Sequence, residues 1–146
     1  MGDVVLRLAA LALISQPGVP AVLPVDLPLL FSTPFDASVL GAEPIAITES
    51  DDWLQFRVQQ SWFGTGPWRS DYLIQAPHRL QRINVYPDAC NGIEAGLVRY
   101  LGEPQNRGVS PQVMHSLRYA RWQREGLIFV LEWFVPGCEL SIYREV

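Results

Sequence analysis

Residues 52–75 read "DWLQFRVQQSWFGTGPWRSDYLIQ", and the fold turns on this stretch. From Trp53 to Trp62 the residues alternate. Leu54, Phe56, Val58, Gln60 and Trp62 share one phase, while Trp53, Gln55, Arg57, Gln59 and Ser61 share the other. A period of two is that of a strand with one face on a core. Residues 72–75 and 79–86 ("RLQRINVY") continue the strand signal, with Ala76-Pro77 as a break between them. "FGTGPWRS" therefore lies between strands. A phosphate loop needs a helix after its glycines, so that free N–H groups and the helix dipole face the anion. Here Pro67 removes a donor and a strand follows. Gly64 and Gly66 are expected at positive-φ positions of a hairpin turn.

Downstream, "CNGIEAGLVRYLGEP" (90–104) carries the one strong helix signal. Asn91 is a suitable N-cap and Glu94 stands in the capping-box position. Ile93, Leu97, Tyr100 and Leu101 define one helical face, Gly102 supplies the stop and Pro104 follows. A polar loop is expected over 103–115. Strands follow at about 116–124, 127–134 and 138–144, with tight turns at Glu125-Gly126 and Pro136-Gly137. "LIFVLEWF" (127–134) is apolar in both phases, which predicts a central strand. The fold class expected is α+β. In it a curved antiparallel sheet, a meander, carries one main helix (about 91–101) on its concave face.

The 146 residues suit one domain with a real core, and 49% apolar content excludes a disordered chain. Net charge is −4 with no basic stripe, which argues against nucleic-acid binding. All 11 basic residues are Arg, a composition that suits either genomic bias or bidentate anion contacts.

The chain opens "MGDVVLRLAALALISQPGVPAVLP". Arg7, an apolar run, a Pro17-Gly18 break and Ala21 follow the order of a secretory signal, although Asp3 is atypical for one. Residues 1–21 are read as a signal peptide, with the mature chain starting near Val22. Four prolines, at 17, 20, 24 and 28, exclude an integral membrane span here. Residues 22–43 are read as an extended Pro-rich lead-in packed on the domain, and 44–146 as a single domain. A periplasmic or secreted location is expected, with a cytoplasmic domain as the alternative.

Cys90 and Cys138 are the chain's two cysteines. A bridge would pin the helix start to the core face of the last strand and stabilise the fold by about 4 kcal/mol. The alternative is a reactive Cys90 thiol at the helix N-terminus, for which His78 or His115 would have to serve as base. Neither histidine has a spacing that places it there. No metal-ligand spacing is present, and Asp51-Asp52 reads as a turn. Ser70, Asp71 and His78 lack a nucleophile-elbow context. No catalytic residue, metal ligand or cofactor is therefore expected.

Ligand-binding candidates are Trp53 and Arg57 on one strand, Trp68 in the hairpin loop, and Arg118 and Trp122 on a later strand. Rings for stacking beside guanidinium forks are what peptide and sugar sites use. The competing reading is an ordinary solvent face in which Arg stems cover the rings. Residues 22–43 could also bury Trp53. The function expected is a small exported, non-enzymatic binding domain, inhibitor- or immunity-like, whose partner is a protein or a small envelope ligand. The alternatives are a hydrolase or thiol enzyme with a cleft near Cys90, using that thiol or a carboxylate such as Asp88 or Glu94, and a cytoplasmic interaction domain.

Overall fold

The computed structural model describes residues 23–41, 43–109, 116–134 and 137–145. In chain order it contains helix α1 (Leu27–Ser32), a 3-10 turn (Ala37–Leu40), and strands β1 (Ala46–Glu49), β2 (Trp53–Trp62), β3 (Thr65–Gln75) and β4 (Arg79–Tyr86). Helix α2 (Cys90–Leu101) follows, then β5 (Asn106–Gly108), β6 (Ser116–Arg124), β7 (Leu127–Phe134) and β8 (Cys138–Arg144). All eight strands form one sheet in the order β1-β2-β3-β4-β8-β7-β6-β5, antiparallel throughout.

This corrects the expected α+β meander with one main helix. Strand makes up 52% of the structure, so the fold is mostly β, an open sheet. Nor is it one meander. β1–β4 run side by side, β5–β8 run side by side, and the two sets join through their last strands. The register Ile83↔Ile142 and Val85↔Leu140 makes that seam. It explains the helix. After β4 the chain must reach the far edge of the sheet before β5 can begin, and α2 is that crossing.

Two strands escaped the sequence reading. β1 has only four residues and β5 only three, too few for a period of two to be visible. β7 lies between β6 and β8, inside the sheet, as its apolar sequence predicts.

The hairpin turn is Phe63-Gly64, with φ of 57° and 76°, and Trp62 pairs with Thr65 across it. Two consecutive positive φ values suit the right-handed strand twist. Gly64 occupies its expected place. Gly66 (φ 112°) lies inside β3, where an added Cβ would come within 3.0 Å of the Trp68 amide and 3.2 Å of the Gln60 carbonyl. A phenylalanine at positive φ is strained. Its ring gains burial in return, because it lies over Gly96 of α2. A Cβ at Gly96 would stand 2.3 Å from Phe63 Cγ.

Helix α2 starts one residue earlier than expected. Its N-cap is Ala89, with no side-chain cap, so Asn91 and Glu94 form no capping box. Glu94 instead faces Arg107 at 3.4 Å. Ile93 and Leu97 are fully buried, as their spacing implies. The helix is pinned at both ends. Cys90 bonds Cys138 at a Cα–Cα distance of 6.0 Å, and Gly102 O accepts a hydrogen bond from Trp122 Nε1 at 2.8 Å.

Residues 23–41 cover the same face of the other half-sheet. They were read as extended, yet Leu27–Ser32 are helical because Asp26 caps the Leu29 amide and Pro28 suits a first turn. Leu27, Leu30, Phe31, Phe35 and Leu40 are buried. Phe35 packs edge-on against Phe56, with centroids 5.5 Å apart. A buried polar chain fastens the segment: Tyr72 OH donates to Gln60 Oε1 at 2.7 Å, and Gln60 Nε2 donates to Leu40 O at 3.1 Å. Burial accordingly raises the Tyr72 hydroxyl far above its ordinary pKa.

Candidate functional site

The sheet has an inward face, under α2 and residues 23–41, and an outward face that no helix among the described residues covers. The phase of β2 assigns the candidate residues to them. Phe56, Val58, Gln60 and Trp62 point inward and are buried. Trp53 and Arg57 are in the opposite phase. Trp53 is 43% exposed at the β1–β2 turn. The inward phase of Phe35 and Leu40 means that residues 23–41 lie across the sheet from it.

Arg57 is not a free fork. Its Nε donates to Asp71 Oδ1 at 3.0 Å, and Arg69 Nη2 meets Asp71 Oδ2 at 2.9 Å. Asp71 is 2% exposed, held between Arg57 across the ladder and Arg69 two residues back on its own strand. Burial pushes its carboxyl up. Hydrogen bonds and charge from Arg69 and Arg57 outweigh that and leave it below the usual carboxylate range. Further along the same face, Arg69 stacks over Tyr86 at 4.4 Å and Arg82 over Tyr143 at 4.8 Å. Glu132 and Glu139 stand directly opposite one another. Burial, then the Glu132 charge, raises the Glu139 carboxyl above its ordinary value.

The other three candidates belong to the inward face. Trp68 pairs with Gln60 in the ladder and is 5% exposed, within β3 rather than on a loop. Trp122 is fully buried, its indole N–H spent on Gly102. Arg118 lies 3.8 Å over the Trp133 ring. The structure thus keeps Trp53 and Arg57 together and separates them from Trp68, Arg118 and Trp122 by the thickness of the sheet. Alternation along each strand was legible in the sequence. Which phase would be covered was not.

The sequence reading also passed over the β1 edge beside Trp53. Among the described residues β1 pairs only with β2, over Ala46↔Arg57 to Glu49↔Leu54, and none of them pairs with its other side. Ile45 and Ile47 are each 57% exposed there. Backbone bonds between Ser50 and Trp53 close the β1–β2 turn, and the Ala76 amide bonds Asp52 O, which ties this turn to the β3–β4 turn.

For chemistry, little is assembled. Both cysteines are in the disulfide, so Cys90 offers no thiol. Glu94 faces Arg107, and His115 lies outside the described residues. Among the described residues no group of three His, Cys, Asp or Glu side chains could hold a metal ion. No helix among them is long and apolar enough to cross a membrane.

The class these features define is an open, eight-stranded antiparallel β-sheet with a disulfide-pinned crossing helix. No family model matches the chain, and no curated protein matches it. Among solved structures it is similar to a DUF4309 family protein, YjgB, from Bacillus subtilis. The TM-score is 0.42 at 7% identity, over 70% of this chain and 72% of that one.

Proposed function

We propose that the protein is a small exported, non-enzymatic binding domain, inhibitor- or immunity-like, whose partner is another protein. The observation that carries this reading is the β1 edge, where Ile45 and Ile47 at 57% are exposed on the phase of Phe56, and Trp53 at 43% is exposed on the opposite phase at the adjoining β1–β2 turn. Exposed large apolar groups in one place mark an interface, and tryptophan is the residue most often found at its energetic centre. An open sheet edge adds a row of unpaired backbone donors and acceptors, which suits an extended segment of the partner.

Charge supports a basic partner. Between residues 8 and 56 there is no Arg, Lys or His, whereas Asp26, Asp36, Glu43, Glu49, Asp51 and Asp52 are all acidic. Glu49 ends β1, and Glu43, Asp51 and Asp52 flank it. Complementary charge steers such an encounter. Export is supported by the signal-like order of residues 1–21 together with the Cys90–Cys138 bond, since disulfides persist in oxidising compartments.

A photo-crosslinking side chain placed at Thr48, in protein exported from its native host, tests both parts. The expected result is a discrete protein adduct that Trp53→Ala weakens, from protein with no free thiol. A probe at Gln123, on the other half-sheet, should give no adduct. Equal labelling from both positions, or a full complement of free thiols, overturns the reading.

A further inference from the structure

The β3–β4 turn and the segment after α1 border a second candidate site, an open cleft independent of the β1 edge. A cavity of about 410 Å³ opens between Phe31–Pro34 and Gln75–Arg79, with Arg144 of β8 at its wall. That volume lies within the range of small-molecule pockets. Its lining divides by chemistry. Phe31, Pro34 and Pro77 form an apolar wall, and His78, Arg79 and Arg144 form a basic one. Among the described residues no Asp or Glu lines it, in a chain of net charge −4.

Six of the eight other arginines among the described residues are engaged, while Arg99 and Arg121 have neither a carboxylate nor a ring partner there. Arg57 and Arg69 are neutralised by Asp71, and Arg107 by Glu94 and Glu103. Arg82, Arg118 and Arg124 lie over aromatic rings. Arg79 has no carboxylate partner among the described residues. Arg144 donates one guanidinium N–H to the Phe31 carbonyl, which fixes the fork at the cavity wall and leaves other N–H groups to give. Phe35 N–H bonds His78 O at 2.7 Å, so the segment that borders the cavity is tied to the turn that carries the basic residues.

We propose that this cavity binds a small amphipathic anion, with its carboxylate or phosphoryl head on Arg79 and Arg144 and its apolar body against Phe31, Pro34 and Pro77. Guanidinium forks recognise both head groups by paired, charge-assisted hydrogen bonds. The apolar wall selects for a body of a few carbons, which a free inorganic ion lacks.

The test is an amide-shift titration of the full chain with hexanoate, hexyl phosphate, hexanol and inorganic phosphate. Either hexyl anion should saturate shifts at Thr33, Ala76 and His78 with a Kd at or below about 1 mM, and the tighter of the two names the head group. Hexanol and inorganic phosphate should each bind at least about ten-fold more weakly. Arg79→Gln, at an exposed position, should weaken the hexyl anion about five-fold or more without altering the remaining spectrum. No saturable shift, hexanol binding as well as hexanoate, or an Arg79→Gln protein that binds normally would each overturn the proposal. Loss of the Thr48 crosslink would not bear on it.

Discussion

The two halves of the sheet are built alike and closed differently. β1–β4 and β5–β8 are each four adjacent strands, and each buries its inward face under one covering segment. Over β5–β8 the cover is a regular helix, joined by a disulfide at one end and an indole hydrogen bond at the other. Over β1–β4 it is residues 23–41, with a six-residue helix, a 3-10 turn and no covalent link. Its hold is the burial of Leu27, Leu30, Phe31, Phe35 and Leu40 and the Tyr72–Gln60–Leu40 polar chain. A helix satisfies its own backbone, so it needs only an apolar stripe. An irregular segment must find partners for its backbone, and a buried glutamine supplies one of them here. Both candidate sites adjoin the irregularly covered half.

The largest expected effect breaks that half alone. Phe35→Ala should cost about 3–5 kcal/mol in urea unfolding, because it empties a site between Phe56 and Tyr72. Amide exchange should rise in residues 23–41 and β1–β3 before it rises in α2. Uniform acceleration would mean that the halves do not differ.

The reciprocal experiment is Cys138→Ala. Opening a link between residues 48 apart should cost about 2–5 kcal/mol, with exchange rising first at the start of α2. A loss under about 1 kcal/mol would show that burial of Ile93 and Leu97 holds the helix without the bond.

Gly96→Ala sharpens the comparison where the halves touch. Alanine favours a helix by about 1 kcal/mol, yet its Cβ would collide with Phe63 Cγ and Cβ at 2.3 and 2.4 Å. Overpacking should win, with a net loss of about 1–3 kcal/mol by thermal or urea unfolding. In a Phe63→Ala background the same change should become neutral or stabilising. A cost that persists there would deny the contact.

The smallest effect tests the outward face. Asp71 has its carboxyl held below the ordinary value, so its contribution is complete above the unfolded-state value of about 4 and is lost as pH falls through the folded one. Asp71→Asn should cost about 1–2 kcal/mol at pH 7, and less as the pH is taken below about 4. A cost equal at pH 7 and pH 3 would mean that packing, not charge, is what Asp71 supplies.

Much of this was legible in residues alone. Alternation marked β2, and β4, β6, β7 and β8 were placed close to their observed bounds. Ile93 and Leu97 were set on the buried stripe of α2, and the two cysteines at ends that meet. The sequence reading failed where the signal was too short or not local. β1 and β5 are too brief to show a period, and α1 hides among prolines that suit its first turn.

By itself, then, the sequence determined where most of the longer strands lie, which segment is the crossing helix and which side chains share a phase. Backbone preference and turn chemistry act over a few residues, and they leave a mark in composition and spacing. Only the tertiary structure decided that β4 pairs with β8, that Trp68 and Trp122 are buried while Trp53 is not, and that Asp71 occupies Arg57. A side chain's exposure depends on what lies across it, and the contacts that set it here span 20 residues or more: Leu40 with Gln60, Gly102 with Trp122, Phe31 with Arg144.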